Sequence, residues 1–166
     1  MGSWCTDRLD RSDKKFLAAL RIALGWVFLY AGTSHLFTRG WSAKGYLMGA
    51  KTFTAFYHLL ASDALLPVVN FLNVWGLTLI GISLILGLCV RLSSLFGALM
   101  MLLYYFPVLD FPKIGANAYL VDEHIVYALA LLAFASAKAG RTWGLDARCA
   151  NLGAGGKYRK LQDWIG

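Results

Sequence analysis

Four long apolar blocks, divided by charges, glycines and prolines, set the pattern of this 166-residue chain. Phe16–Phe37 holds 22 residues, interrupted by Arg21 and, near its end, by His35. Leu65–Val90 holds 26 and stops at Arg91, and Leu92–Phe106 holds 15 and stops at Pro107. Val121–Ala139 holds 19, with Asp122, Glu123 and His124 at its start and Lys138 near its end. A hydrocarbon core of roughly 30 Å takes about 20 helical residues, so the first two blocks suffice alone. The third is short, and the segment through Pro107 and Pro112 is expected to finish its crossing or to dip against the other helices.

Between the first two blocks lies Thr38–Ala64, 27 residues, long for a simple connector. Within it Phe53, Phe56, Tyr57 and Leu60 fall at the i, i+3, i+4, i+7 spacing of an amphipathic helix. Such a helix lies on the outer membrane surface, either covering a site or packing on the bundle for stability. The predicted fold class is thus an all-α integral membrane protein, a four-transmembrane-helix bundle with one amphipathic outer-surface helix between helices 1 and 2. Residues 1–15 form an N-terminal tail, 16–140 the membrane domain and 141–166 a C-terminal tail.

Composition supports this reading and leaves no room for a second globular domain. Hydrophobic residues make up 58% of the chain and charged residues 15%, against about 45–50% and about 25% in soluble domains. The net charge of +7 does not point to nucleic acid, because no basic face with interleaved aromatics is present. The cations sit at the ends of the blocks instead, where they orient a chain in a bilayer. With four spans, eleven of them fall on one side: Arg8, Arg11, Lys14, Lys15, Arg91, Lys138, Arg141, Arg148, Lys157, Arg159 and Lys160. Arg39, Lys44, Lys51 and Lys113 fall on the other, and Arg21 lies within the first span, placed to snorkel inward. Both termini are therefore expected in the cytoplasm of a multi-pass plasma-membrane protein. Cys5, Cys89 and Cys149 all fall on that reducing side. The start "MGSWCT" also fits the myristoylation pattern, a short match that arises often by chance.

Depth gives the Asp-Glu-His cluster its meaning. Fourteen residues separate Lys138 from His124, about 21 Å at a rise of about 1.5 Å per residue. If Lys138 marks the inner boundary, the cluster lies within the outer hydrocarbon, where ionisable groups are costly. Acids capping a helix N-terminus are the simpler reading of Asp122 and Glu123. At least one of the three is nevertheless expected to face the bundle. His35, Asn70 and Asn73 fall at the same level. Each has an ordinary explanation, an interfacial histidine or interhelical hydrogen bonds, but together they suggest a polar cavity opening outward. Gly76, Gly81 and Gly87 are expected to permit close helix contact, and Arg141 and Asp146 to organise the inner end of the fourth span.

No CxxC, P-loop, GxGxxG in a strand–helix setting or HExxH occurs. No histidine pair suits a mid-membrane haem, and no flavin or metal motif is present. A transporter would need several copies to line a path, and no acid lies at mid-membrane. Redox chemistry would therefore need a diffusible cofactor or a partner subunit.

Three segments resemble the DoxX/DoxD family of small four-helix membrane proteins: "LRIALGWVFLYAGTSHLF" at Leu20–Phe37, "VWGLTLIGISLILGLCVRL" at Val74–Leu92, and "NAYLVDEHIVYALALLAFASAKAGRTWGLD" at Asn117–Asp146. The last is the most specific. The resemblance implies a link to membrane redox metabolism, as in the membrane subunit of thiosulfate:quinone oxidoreductase, which acts with a second subunit. It carries over no agreed catalytic residues, so the site rests on the physical reading. In that reading Glu123 or His124 exchanges a proton with quinone, and Asp122 orients or caps. His35, Asn70 and Asn73 hydrogen-bond the quinone, and Trp75 or Tyr127 stacks on its ring. A small inorganic sulfur compound would be the donor, and no metal is expected. The alternative is a non-catalytic accessory or assembly subunit of a larger respiratory or other membrane complex.

Overall fold

The structure, a computed structural model, describes residues 11–114 and 118–147. The expectations about residues 1–10 and 148–166, which include most of both tails, Cys5 and Cys149, lie outside the described residues.

Helix α1 runs Arg11–Phe37, longer at its start than the apolar block, so residues 11–15 are helical. The connector then forms two short helices, α2 (Lys44–Met48) and α3 (Thr54–Leu60). Helices α4 (Leu66–Leu86), α5 (Val90–Val108) and α6 (Glu123–Ser136) follow, and a 3-10 turn at Ala139–Arg141 ends the bundle. Between α5 and α6 lies a small antiparallel sheet, which the all-α reading did not anticipate. Its strands are β1 (Leu109–Asp110), β2 (Lys113–Ile114) and β3 (Ala118–Tyr119), in the order β1-β2-β3. Leu109 pairs with Ile114, and Ile114 with Ala118.

Three of these helices, α1, α4 and α5, are long and apolar enough to cross a membrane, and α6 is a shorter apolar helix. Their outward faces are correspondingly greasy: Leu20, Trp26, Phe71, Leu79, Phe96, Leu99 and Leu129 are all exposed. In water that surface would be a liability, whereas in a bilayer it is the solvated face. The chain is an apolar-helix integral membrane protein.

Inside, α1 packs on α4 and α5 on α6. Leu84, Leu131, Phe134 and Val90 form a core closed off from solvent. Without a hydrophobic driving force between helices in lipid, close backbone approach matters more. Gly81 of α4 supplies it, since a Cβ there would lie 2.4 Å from Leu29 N. Gly25 and Gly32 do the same from α1, the latter against Thr78. Gly76 faces only the flexible end of Met100, so its expected contact role is weak.

The third block stops at Pro107 in sequence, yet α5 continues to Val108 and reaches 19 residues. Proline has no N–H to give the carbonyl four residues back. That carbonyl, Leu103 O, accepts instead from the Tyr57 hydroxyl at 3.1 Å. The next carbonyl, Tyr104 O, accepts from Tyr46 Oη. The connector is thus a cap on the end of α5. Tyr57, only 2% exposed, anchors it, with help from Thr52 Oγ1 donating to Leu109 O at 2.6 Å and Lys51 N to Pro107 O at 3.0 Å. Of the four residues at helical spacing, Tyr57 is the anchor, while Phe53 and Phe56 remain exposed. Phe53 precedes α3 in a left-handed conformation rather than inside it.

At the opposite end Arg21 does not snorkel. It is 0% exposed, and its Nη1 donates to Ala139 O and to Thr142 O, closing the end of α6. Asp146, also buried, accepts from Cys89 N at 2.7 Å and Val90 N at 3.1 Å, capping the start of α5. Gly87 has φ +67°, and a Cβ there would meet Gly144 and the Arg21 guanidinium. Helix α6 therefore runs back along α5 from the level of Tyr104, beside His124, to that of Val90, beside Gly140.

Candidate functional site

The start of α6 builds the site. Asp122 is its N-cap: one carboxylate oxygen accepts from His124 N at 3.1 Å and Ile125 N at 3.3 Å. The other lies 2.6 Å from His124 Nδ1. A carboxylate has no hydrogen to donate, so Nδ1 donates and Nε2 is left for another partner. The pair is largely enclosed, with side-chain exposures of 20% for His124 and 10% for Asp122.

His124 opens onto a cavity of about 290 Å³ whose other walls come from α1, the connector, α4 and α5. Tyr104 stands edge-on to His124, with ring centroids 6.1 Å apart. Its hydroxyl accepts from Asn73 Nδ2 at 2.6 Å, tying α4 to α5. His35, at the end of α1, stacks on Trp41 with centroids 4.1 Å apart and planes 17° apart. Tyr46 and Ser42 close the connector side. Burial pushes the Tyr46 phenol up to about 12, with Tyr57 and the Asp122 charge adding to the effect, so it remains a donor at ordinary pH. Burial likewise raises the Tyr57 phenol.

Two further polar atoms at this cavity, Asn73 Oδ1 and His35 Nδ1, are buried outside hydrogen-bond geometry, although the Asn73 and His35 side chains lie close enough to interact with each other. Buried polar atoms are nearly always satisfied, and the exceptions call for an explanation. Here both belong to residues lining an opening large enough for a ligand. The lining carries no Lys or Arg. Among the described residues no group of three or more His, Cys, Asp or Glu side chains is placed to hold a metal ion.

The expected site residues divide as follows. Asp122 and His124 form the dyad, and His35 and Asn73 line the same cavity. Glu123 is exposed and lines neither cavity, because one residue along a helix turns the side chain about 100° away from His124. Of the two, only His124 faces the cavity. Asn70 and Trp75 line a second, adjoining cavity, and Asn70 Oδ1 accepts from Ala43 N at 2.9 Å, fastening the connector. Tyr127 is half-buried against the core and touches neither cavity. Tyr104, Tyr46 and Trp41 escaped the sequence reading. Their one signal was aromatics with polar atoms, Tyr104 late in an apolar block and the other two in the connector.

No curated protein and no solved structure matches the chain. The DoxX family model matches residues 16–109, covering α1 through α5 and ending before the Asp122–His124 dyad. That span is more than half of the 166 residues, and the chain belongs to the DoxX family.

Proposed function

We propose that the chain is a DoxX/DoxD-like subunit of a quinone-linked oxidoreductase, with the cavity beside His124 as the ring site. The observation that carries this reading is a polar cavity at one end of an apolar bundle, holding an Asp-tethered histidine and two unpartnered polar atoms. At about 290 Å³ it lies at the small end of the roughly 300–1,000 Å³ of ligand sites, room for a ring and not for a whole tailed quinone. Its neutral aromatic lining suits an uncharged planar group better than a sulfur oxyanion. The donor, thiosulfate or a related compound, is accordingly assigned to a partner subunit.

Quinone, when bound, supplies the two-electron redox chemistry. The chain's own residues bind and move protons. His124 Nε2 gives or takes the proton, and Asp122 fixes the ring of His124 and its tautomer. The Tyr104 O–H and the unpartnered atoms of Asn73 and His35 orient the ligand, and Trp41 offers a stacking face. On this reading α1, α4, α5 and the shorter α6 each cross the plasma membrane, with the cavity toward the outer leaflet and both termini cytoplasmic. The cation distribution supports that orientation.

Quinone reduction by membranes containing the chain and its partners tests the mechanism. His124→Ala and Tyr104→Phe are expected to lower turnover, and unchanged rates in both would end the proposal. The accessory-subunit alternative draws on the exposed Phe53, Phe56 and Leu59 of the cap, an apolar surface fit for a partner. Stable co-purification with cofactor-bearing subunits, together with full turnover in the His124→Ala complex, would favour it.

A further inference from the structure

A second cavity, also about 290 Å³, adjoins the first, and the stacked His35–Trp41 pair lines both. Its character is different. Leu36 of α1 and Phe71, Val74 and Trp75 of α4 make up its side wall. Leu36, Phe71 and Trp75 are exposed, so it opens where the apolar faces of α1 and α4 look outward. Both cavities mix polar and apolar lining, and what sets this one apart is that its apolar wall is exposed on the outward faces of α1 and α4.

Resting on the proposal that the inner cavity takes a quinone ring, we infer that the outer one holds the ring's isoprenoid tail. The substrate would then enter from the bilayer between α1 and α4, not from water. Three observations support this. The inner cavity is too small for a tailed molecule, the two openings share a wall, and Leu36, Phe71 and Trp75 beside the second are exposed on the outward faces of α1 and α4. Asn70, bonded to Ala43 N and to Ser42 Oγ, fastens the connector over the junction. The His35–Trp41 pair becomes the sill across which ring and tail join.

The test uses the full chain in lipid nanodiscs and two probes, a benzoquinone without a tail and the same ring with a decyl tail. Dissociation constants are read from quenching of the intrinsic tryptophans, so no turnover is needed. Val74→Trp fills the outer cavity and Phe71→Ala removes part of its wall. Each methylene withdrawn from apolar contact is worth several-fold in binding. Val74→Trp is therefore expected to weaken the decyl probe by more than about tenfold, and Phe71→Ala by about threefold or more. The bare ring should change by less than about twofold in either variant. Equal weakening of both probes, or undiminished decyl binding in both variants, overturns the tail assignment while leaving the ring site standing. Wild-type protein that binds neither probe overturns the ring site and the tail assignment with it.

Discussion

Asp122 carries two roles that one substitution can separate. Its Oδ1 caps α6 through His124 N and Ile125 N, and its Oδ2 holds His124 Nδ1 at 2.6 Å. In Asp122→Asn the amide oxygen can keep the cap, since Asn and Asp are about equal at that position. The helix gives up only the charge–dipole part, about 0.3–1 kcal/mol. The amide nitrogen, however, donates to Nδ1 where the carboxylate accepted from it. The imidazole must then carry its hydrogen on Nε2, so the atom facing the cavity changes from acceptor to donor. The lost hydrogen bond to a charged group is worth about 1.5–3 kcal/mol. Asp122→Ala removes the cap as well, about 1 kcal/mol more of stability. Nitrogen-15 NMR of labelled histidine reads the tautomer directly, thermal unfolding reads the cap, and quinone turnover reads the proton step. The expected pattern is a reversed His124 tautomer and slowed turnover in the Asn variant with near-wild-type melting, and lowered melting only in Ala. An Asn variant with wild-type tautomer and turnover would refute the reasoning, as would one that melts as early as Ala.

Three further outcomes follow from the packing. Gly140→Ala sets a Cβ 1.9 Å from Asp146 Oδ2 and 2.8 Å from Val90 Cγ2. It should destabilise the bundle by about 1–3 kcal/mol or more, while Gly45→Ala, with nothing within 4 Å, should be neutral in the same unfolding measurement. Arg21→Leu removes the donor to the Ala139 and Thr142 carbonyls, and each buried acceptor left unsatisfied costs about 1–3 kcal/mol. Fluorescence-detected size-exclusion after heating should show the variant failing well below wild type. Tyr46 is an acid whose folded pKa, about 12, lies above its ordinary value of 10.0. Its contribution is therefore complete below about pH 10 and is lost as pH rises toward 12, and Tyr46→Phe should flatten that alkaline decline in melting temperature.

Hydropathy made α1, α4 and α5 legible because each must satisfy the bilayer along its whole length. It also located the start of α6, where Asp122 does serve as cap. It misjudged the end of α5 for a non-local reason: the carbonyl orphaned by Pro107 is satisfied by Tyr57, 46 residues away. Arg21 was misread in the same way. A lone cation near a helix end looks free to snorkel, and only the return of Ala139 and Thr142, more than a hundred residues later, shows that it is enclosed. The cavity was half legible. His35, Asn73 and His124 stand out as polar residues in apolar surroundings, whereas Tyr104 and Trp41 fall among the hydrophobic residues by composition. Glu123 and His124 are neighbours in sequence, so only the helical rotation distinguishes the exposed residue from the one on the cavity.

The two ends of the bundle use buried polarity in opposite ways. At the Arg21 end, charged groups are committed to backbone: two carbonyls take the guanidinium, and two amides take the Asp146 carboxylate. Glycines 87, 140 and 144 are required there because the groups approach too closely for a Cβ. Such an arrangement closes the helix ends. At the His124 end the polar atoms surround an opening, and two of them lack partners, as Arg21 Nε does at the other end. The opening beside the oriented histidine is what distinguishes this end, and it admits two accounts, a ligand site or a network that joins helices. Tyr104→Phe separates the two accounts. It removes the acceptor of Asn73 Nδ2, so it weakens ring binding if the network exists to orient a ligand, and alters only melting if the network exists to join α4 to α5.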